Sequence, residues 1–499
     1  MTSFCRDTAR RWPAVGMAGL VAALALTLPA APVRAAVAAG TGEAGTAAFD
    51  GRTLSLWWGL PFLGLLLSIA LLPQFRPQWW HRSAGRIAVI WVLAFLVPAV
   101  GYFGLEITVS RVLHVLLLDY LPFLILMGSL YIVAGGIRIT GSLGSTPAAN
   151  TGLLALGTGL AGVIGTAGAA MLLIRPLLHA NRGRRHRAHL VVFFIILVAN
   201  VGGALTPLGD PPLFLGFLQG VDFFWTVRHL AAPMTLLVVA LLGAFFVVDR
   251  WWFRREPSAT GSKAGSATGR EVGPPEPPGV EGGANLALLL LVALAVLVQG
   301  LWRPGVTVVI LGQSLPLQTL CAEAVMAALA VASLVLTGRG RRRRNGFRWT
   351  PVLDVAKLFG AVFVTMAPVL AILGAGAAGA AAGLIGALDG GGARDAAVTF
   401  WTTGLLSSVL DNAPTYLVFF NAAGGNAQTL MTTGATTLLA ISAGAVFMGA
   451  NTYIGNAPNF MVKAIAEDHG VAMPGFFGYL LWSSLLLLPL YGLLTVLFF

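Results

Sequence analysis

Two aspartates lie within stretches of the chain that are otherwise apolar. Asp210 follows Thr206-Pro-Leu-Gly209, and Asp411 follows the hydrophobic run that ends at Leu410. An ionised carboxylate at the centre of a bilayer costs about 2.5–3.5 kcal/mol, and such groups usually mark ion or proton paths. Helix capping is the alternative, because Asp210-Pro-Pro and Asp411-Asn-Ala-Pro are both favourable helix starts. We interpret both residues as candidate Na⁺ or H⁺ sites, with Asp411 as the leading candidate.

Hydroxyl and amide side chains accompany the two aspartates. Na⁺ is expected to prefer carboxylate, hydroxyl, amide and carbonyl oxygens, as other hard cations do. For any single one of these side chains, structural hydrogen bonding is the alternative. The candidate ligands besides Asp210 and Asp411 are Thr166, Asn200, Thr206, Asn412, Thr415, Asn451, Thr452, Asn456 and Asn459. No cofactor is expected apart from transported Na⁺ and H⁺, since Cys5 and Cys321 cannot form a metal cluster.

The composition is that of a membrane protein. Hydrophobic residues make up 57% of the 499 residues and charged residues only 10%, which is far less charge than a soluble protein carries. The net charge of +12 does not indicate nucleic-acid binding, because the basic residues cluster in short segments beside apolar ones. The expected partners are therefore the lipid bilayer and small ions, with no nucleic acid.

The first residues resemble a secretory signal peptide. Arg6, Arg10 and Arg11 precede an apolar run, and small residues near Arg34 offer a cleavage site. An uncleaved first helix is the alternative. We predict a signal peptide over residues 1–38 and a multi-pass protein of the bacterial inner membrane.

Apolar segments divide the rest of the chain into two halves. Residues 39–248 form the first half, residues 249–284 a cytoplasmic disordered linker rich in Gly, Pro and Ser, and residues 285–499 the second half. The predicted fold is an all-α polytopic membrane protein. The predicted spans are Trp57–Leu72, Ile87–Phe103, Leu113–Ile137, Leu190–Leu218, Leu230–Val248, Leu286–Leu301, Leu317–Leu336, Val352–Leu373, Thr436–Ala466 and Phe476–Phe499.

A sequence repeat interrupts one predicted span in each half. The segments Gly203–Leu213 and Gly449–Asn459 are offset by 246 residues, and they share Gly, Ala, Thr, Gly and Pro at the same positions. Glycine and proline break a helix and free backbone groups that hydrocarbon cannot solvate. Such breaks at matching places in two halves point to the binding site of a secondary transporter.

A second repeat precedes each break. Gly159–Ala170 parallels Gly404–Thr415 at an offset of 245 residues. We predict a re-entrant hairpin in each half, with its polar tip at membrane depth. An ordinary packing helix with small residues is the alternative, but it leaves Asp411 and Asn412 unexplained.

The basic segments predict the orientation of the two halves. Placing Arg76–Arg86, Arg182–Arg187, Arg250–Arg255 and Arg339–Arg348 in the cytoplasm follows the positive-inside rule. The first hairpin then opens toward the cytoplasm and the second toward the periplasm. The halves are therefore expected to be inverted repeats related by a pseudo-twofold axis in the membrane plane.

At these residues the chain resembles the ion-transporter superfamily of sodium-coupled citrate and dicarboxylate carriers, arsenite permeases and D-type sodium/proton antiporters. The motifs that run from Asn200 to Pro212 and from Leu410 to Pro414 look most like the antiporter branch and the related citrate transporters. In the carboxylate carriers a Ser-Asn-Thr signature at each hairpin tip binds Na⁺ and substrate. Here the tips read Gly165-Thr-Ala and Leu410-Asp-Asn. The resemblance also suggests a homodimer.

The predicted function is secondary transport, with Na⁺/H⁺ antiport at a carboxylate-containing site near the membrane midplane. A negative charge at a tip attracts a cation and repels citrate. A citrate or other anion transporter, coupled to a cation or a proton, is the alternative. An enzyme is not expected, since the sequence has no His-Glu-x-x-His motif and no paired Ser/His of an intramembrane protease.

Overall fold

The described part of the protein is built mainly from helices. The computed structural model describes residues 35–36, 49–140, 144–256, 279–345, 347–383 and 393–499. Most of the predicted signal peptide, residues 1–34 and 37–38, lies outside the described residues, as does the linker between residues 257 and 278.

Nine helices of the first half are described. The first, α1, follows a 3₁₀ turn at Leu56–Gly59. A π-helical turn, Val115–Tyr120, joins α3 to α4, and a 3₁₀ turn, Val201–Ala204, lies between α7 and α8. The helices are α1 Leu60–Phe75, α2 Pro77–Phe103, α3 Leu105–His114, α4 Leu121–Ala134, α5 Pro147–Ile164, α6 Thr166–Ala180, α7 Ala188–Leu197, α8 Pro211–Leu218 and α9 Phe223–Arg255.

The described helices of the second half follow the same order around their break, apart from an additional short helix at Ala427–Met431. A 3₁₀ turn at Gly376–Ala378 follows α13, and another at Gly449–Asn451 lies between α17 and α18. The helices are α10 Gly283–Leu301, α11 Leu317–Leu336, α12 Arg339–Arg344, α13 Thr350–Gly374, α14 Ala393–Val409, α15 Asn412–Ala422, α16 Ala427–Met431, α17 Ala435–Met448, α18 Ala457–Asp468 and α19 Phe476–Phe498.

The strands are short and lie outside these helices. In antiparallel pairing, β2 (Arg138–Thr140) lies beside β3 (Gly279–Glu281). A second sheet has the order β1 (Ala35–Ala36), β4 (Thr307–Ile310) and β5 (Gln313–Pro316), also antiparallel. Nine helical segments within the described residues are long and apolar enough to cross a membrane. The prediction of an all-α polytopic membrane protein is therefore confirmed.

Several predicted boundaries differ from the observed ones. The third span begins at Leu105 rather than Leu113 and continues to Ala134. Asp119, in its π-helical turn, therefore lies inside one continuous span of 30 residues. Most of Arg76–Arg86 is the start of α2, and Arg250–Arg255 is the end of α9. Both ends of the predicted linker, residues 249–284, belong to regular elements, since α9 continues to Arg255 and β3 begins at Gly279.

A buried ion cluster fixes the base of the first hairpin, which is formed by α5 and α6. Asp249 of α9 is fully buried, accepts a hydrogen bond from Asn150 at 3.0 Å, and contacts Arg184 at 2.5 Å and His189 at 2.8 Å. Asn181 bonds Asn150 and accepts from Arg184. Breaking a buried ion pair typically costs about 3–5 kcal/mol, so this cluster holds α5, α6, α7 and α9 together at one end.

A second buried network joins the helices beside the hairpins. Arg342 of α12 donates to the carbonyl of Ile132 at 2.6 Å and to the Ser333 hydroxyl at 2.7 Å. Ser333 donates in turn to Asn285 at 2.5 Å. Burial lowers the pKa of the Arg342 guanidinium to about 10, which still leaves it charged at neutral pH. This network connects α4, α10, α11 and α12.

Candidate functional site

The two broken helices are built in the same way. In the first, α7 ends at Leu197 and α8 begins at Pro211; in the second, α17 ends at Met448 and α18 begins at Ala457. Asp210 and Asn456 are the extended residues that directly precede the second helix of each break. The prediction of two interrupted helices is therefore confirmed, and Asp210 and Asn456 occupy equivalent positions.

A pair of glycines closes each break tightly. A Cβ on Gly209 would collide with the carbonyl of Gly203, and a Cβ on Gly455 would lie 2.6 Å from the carbonyl oxygen of Gly449. These four glycines are the two Gly positions that the sequence repeat shares. Close backbone approach, rather than an unusual φ, explains why glycine stands at both places.

Thr206 and Thr452 fasten the breaks to the hairpins. Each hydroxyl donates to a hairpin carbonyl, that of Gly162 for Thr206 and that of Ser408 for Thr452. Each hydroxyl also accepts a hydrogen bond at 3.2 Å from the backbone amide two residues later. Both threonines were candidate ligands, and the structure shows their hydroxyls engaged with backbone.

The hairpin tips align at an offset of 246 residues. Gly165, with φ of +79°, precedes α6, and Asp411 precedes α15, so Thr166 and Asn412 are the first residues of equivalent helices. The offset of 245 that we predicted for the hairpins is wrong by one residue. At the offset of 246 residues the tips share one residue type, Ala167 with Ala413. Common small and aliphatic residues match at both offsets, so residue types alone did not decide the register. The helix starts fix it, and the same offset then relates hairpins and breaks.

Asp210 is the centre of a buried hydrogen-bonded cluster. Its side chain is fully buried. One carboxylate oxygen, Oδ1, accepts from the Thr166 hydroxyl at 3.1 Å and from the Asn456 amide at 3.2 Å. The other, Oδ2, accepts from the Asn412 amide at 2.6 Å. The carboxylate makes no capping hydrogen bond to its own helix α8. The Asp210 side chain therefore does not act as the helix cap that the alternative predicted.

Four helix starts meet at this carboxylate. Thr166, Asp210, Asn412 and Asn456 stand at the N-terminal ends of α6, α8, α15 and α18. Each N-terminus carries roughly half a positive elementary charge from its backbone dipoles. The helices pack in two pairs, α8 with α15 and α6 with α18. The combined field stabilises negative charge at the centre, on Asp210 itself or on a bound group.

One acceptor in the cluster has no partner. Asn412 Oδ1 is buried, and no hydrogen-bond donor reaches it within the part of the chain that the structure describes. Since the amide nitrogen of Asn412 bonds Asp210, this oxygen lies in the immediate neighbourhood of the carboxylate. A buried unsatisfied acceptor costs about 1–3 kcal/mol, so it calls for an explanation.

Asn200 and Asn459 extend the cluster between the two breaks. The Asn200 amide donates to Asn459 Oδ1 at 2.6 Å, and Asn200 Oδ1 accepts from Asn456 at 3.3 Å. The Asn459 amide donates to the carbonyls of Gly449 and Thr452, both at 2.9 Å. Six candidate residues thus form one connected network: Thr166, Asn200, Asp210, Asn412, Asn456 and Asn459.

Asp411 has a different role in the structure. It is half-buried, and its side chain caps α15 by accepting from the backbone amide of Ala413 at 3.3 Å. The Thr415 hydroxyl bonds the Asp411 carbonyl at 3.0 Å rather than the carboxylate. Among the described residues, no hydrogen bond joins the side chains of Asp411 and Asp210. The Asp411 side chain therefore acts as a helix cap, as the alternative predicted. It directly precedes Asn412, which bonds Asp210.

Asn451 belongs to a neighbouring cluster. Its amide donates to the Ser408 hydroxyl at 2.8 Å, and its Oδ1 accepts from the Tyr491 hydroxyl at 3.3 Å. Ser483 donates to the Asn451 carbonyl at 2.6 Å. Ser408, Ser483 and Tyr491 were not among the predicted site residues. Ser408 could have been found from its place in the second hairpin repeat, whereas the two α19 residues carry no sequence signal.

Comparison with known proteins identifies the family. A family model described as "Putative citrate transport" matches residues 51–499, which is all of the chain except its first 50 residues. Comparison with curated proteins gave no significant match. The resemblance drawn from the hairpin and break motifs to citrate transporter-like members of the ion-transporter superfamily is confirmed. The chain belongs to this citrate-transport family of multi-pass membrane proteins.

Proposed function

We propose that the protein is a secondary transporter that exchanges Na⁺ for H⁺ at Asp210. The observation that carries this proposal is the buried carboxylate of Asp210 beside the unpartnered oxygen of Asn412. The Asn412 amide nitrogen donates to Asp210, and the amide oxygen beside it has no donor among the described residues. A buried carboxylate next to such an oxygen is suited to a cation or a proton. In a bacterial cell this exchange would take place across the inner membrane.

The proposed mechanism is competition for one carboxylate. When Asp210 is ionised, Na⁺ takes oxygen ligands from Asp210, Asn412 and the Thr166 hydroxyl, which is 3.1 Å from the carboxylate. Protonation of Asp210 removes the negative charge and supplies its own hydrogen-bond donor, and the cation leaves. The Asn456 amide stays bonded to Asp210, Asn200 Oδ1 and the Ala199 carbonyl, and holds the carboxylate in place.

The paired half-helices support alternating access. The pair α8 and α15 leads away from Asp210 toward Gln219 and Asn421, and the pair α6 and α18 starts at the same centre. If the halves are inverted, the two pairs lead to opposite sides of the membrane. A movement of hairpins and broken helices against the remaining helices would then open Asp210 to one side at a time.

Transport of citrate or a related anion is the second candidate function. It is favoured by the description of the family and by the four helix N-termini that meet at the centre. Helix N-termini bind anionic groups through backbone amides and dipoles. In this alternative Asp210 binds the coupling cation or proton, and the anion lies against the helix starts.

Purified protein in liposomes distinguishes the two functions. An imposed Na⁺ gradient should move internal pH in the absence of citrate, and labelled citrate should not accumulate. Citrate uptake that depends on a Na⁺ or proton gradient, with no Na⁺-driven pH change when citrate is omitted, would establish the second function instead. The variant Asp222→Asn is the matched control for Asp210→Asn. Asp222 is an exposed residue whose side chain caps α9.

A further inference from the structure

A polar cavity of about 370 Å³ lies at the ends of α8 and α15 that point away from Asp210. Gln219 follows the last residue of α8, and Asn421 lies in the last turn of α15; both line the cavity. A helix rises 1.5 Å per residue, so nine residues place the cavity roughly 14 Å from the contact between Asp210 and Asn412. It is a chamber separate from the Asp210 cluster.

A second wall is the span that contains the π-helical turn. Arg111 and His114 of α3 and Asp119 of the π turn line this side. Asp119 Oδ1 accepts from Gln219 at 3.3 Å, and His114 Nδ1 contacts Gln313 Oε1 at 3.1 Å. π turns within helices occur frequently at functional sites. The residues of the proposed exchange mechanism all lie elsewhere, so they give this π turn no function.

Arg111 in this wall has one buried donor, its Nε, with no hydrogen-bond partner within the described part of the chain. It forms no salt bridge with Asp119 there, and the Asp119 carboxylate is bonded to Gln219 instead. A guanidinium presents five N–H donors in a planar fork, and a buried charged donor left unpaired is costly. A planar carboxylate is the acceptor that matches this fork.

We propose that this chamber, the Arg111 cavity, is a binding site for a small carboxylate anion. Its volume falls within the roughly 300–1,000 Å³ of small-molecule sites. The Thr319 hydroxyl also lines it and can donate a hydrogen bond. Asp119 on the same wall opposes ligands that carry several negative charges, so a ligand with one or two carboxylates is favoured. The site does not depend on Na⁺/H⁺ exchange, since the anion binds whether or not it is carried.

Calorimetric titration of the full-length protein in lipid nanodiscs with succinate tests this site. Saturable binding of one succinate is expected. Arg111→Gln should weaken it at least about tenfold, because a charge-assisted bidentate contact is lost, and Asp119→Asn should strengthen it. Arg303→Gln is the matched control, since Arg303 is exposed and bonds the Gly300 carbonyl outside the cavity. Absence of saturable binding, or binding that survives Arg111→Gln and disappears in Asp210→Asn, would overturn the proposal.

Protection from chemical labelling gives a second test that does not depend on the folding of an Arg111 variant. In a background with Cys5→Ser and Cys321→Ser, succinate should slow the reaction of Asn421→Cys with a thiol reagent. Asn426→Cys, in the exposed turn after α15, should react at the same rate with and without succinate. Equal rates for Asn421→Cys in the two conditions would reject the Arg111 cavity as the place where succinate binds.

Discussion

The two halves of the molecule share a framework and differ in charge. Each half has a hairpin, a broken helix, a glycine pair that closes the break, and a threonine that fastens the break to the hairpin. At the equivalent position before the second half-helix, the first half has Asp210 and the second has Asn456. These two side chains hydrogen-bond each other at 3.2 Å. A repeated scaffold thus carries one ionisable group at its centre rather than two.

At the hairpin tips the ionisable residue belongs to the second half instead of the first. The first tip has Gly165 and the second has Asp411, yet Asp411 uses its carboxylate to cap α15. The position of a charge in the sequence therefore does not decide its role. The carboxylate that is bonded by side chains from other elements is Asp210, and it is the one expected to carry the exchanged ion.

Asp210→Asn should have the largest effect. The amide cannot exchange a proton or balance a cation, so Na⁺-driven pH change in liposomes should fall to the level of protein-free liposomes. An amide can retain hydrogen bonds with Thr166 and Asn456, so expression and melting temperature should stay near those of the wild type. Exchange at the wild-type rate in a correctly inserted variant would show that Asp210 has a structural role only.

Moving the carboxylate to the equivalent position sharpens the comparison. The double variant Asp210→Asn/Asn456→Asp should recover part of the exchange, because the two side chains are neighbours in one cluster. The single variant Asn456→Asp should impair exchange differently, since two carboxylates in contact cannot both ionise without a cation between them. The measurement is the exchange rate as a function of pH, and the profile of Asn456→Asp should be shifted relative to that of the wild type. A double variant as inactive as Asp210→Asn would show that the two positions are not functionally equivalent.

Asp411→Asn should have a smaller effect than Asp210→Asn. Asparagine caps a helix about as well as aspartate, so α15 should stay in place and the exchange rate should change by less than about tenfold. Asp411→Ala should also lower the free energy of unfolding by about 1 kcal/mol through loss of the cap. Abolished exchange in Asp411→Asn, with insertion intact, would return Asp411 to the leading place that the sequence analysis gave it.

The sequence predicted the breaks because they depend on local chemistry. Glycine, proline and a following polar residue interrupt a helix wherever they stand together, and two copies at one offset revealed the framework. It did not predict which aspartate is bonded, because Asp210 meets Asn412 across 202 residues of chain. The hairpin register was also predicted wrongly, since common small and aliphatic residues match at both offsets and Gly165 and Asp411 share no chemistry.

Other features depend on packing between distant helices and left no sequence signal. Asp249 was placed in a linker, but it is fully buried against Arg184 and His189. The predicted span began at Leu113, only six residues before Asp119, because an apolar sequence does not reveal that the helix begins at Leu105 and continues through Asp119 in a π turn. Asp119, Asp210 and Asp249 all lie in apolar segments, and each is bonded to polar side chains of other elements. Those partners could be identified only from the fold.

The glycine pairs test whether the two breaks bear the same constraint. Gly209→Ala and Gly455→Ala should each lower stability by about 1–3 kcal/mol, since the new methyl group forces backbone apart. The collision is closer at Gly209, so its variant should melt lower in detergent. Gly492→Ala in α19 is the control, because a Cβ there meets nothing within 4 Å. Equal melting of all three variants would contradict the constraint.

The smallest effect on activity, and the most direct test of how the halves are related, comes from single-cysteine labelling. The same framework can be repeated in parallel or inverted across the membrane, and only inversion lets α8 with α15 and α6 with α18 lead to opposite sides.

Gly183 lies in the basic turn after the first hairpin and Asn426 in the turn after the second, and both are exposed. In a background with Cys5→Ser and Cys321→Ser, an impermeant thiol reagent added outside cells should modify Asn426→Cys and leave Gly183→Cys unmodified until the membrane is opened. Each substitution lies outside the Asp210 cluster, so exchange should be preserved and can be measured in the same preparations. Labelling of both cysteines from the same side would mean that the hairpins open to one face, and the proposed alternating access through inverted half-helix pairs would then be wrong.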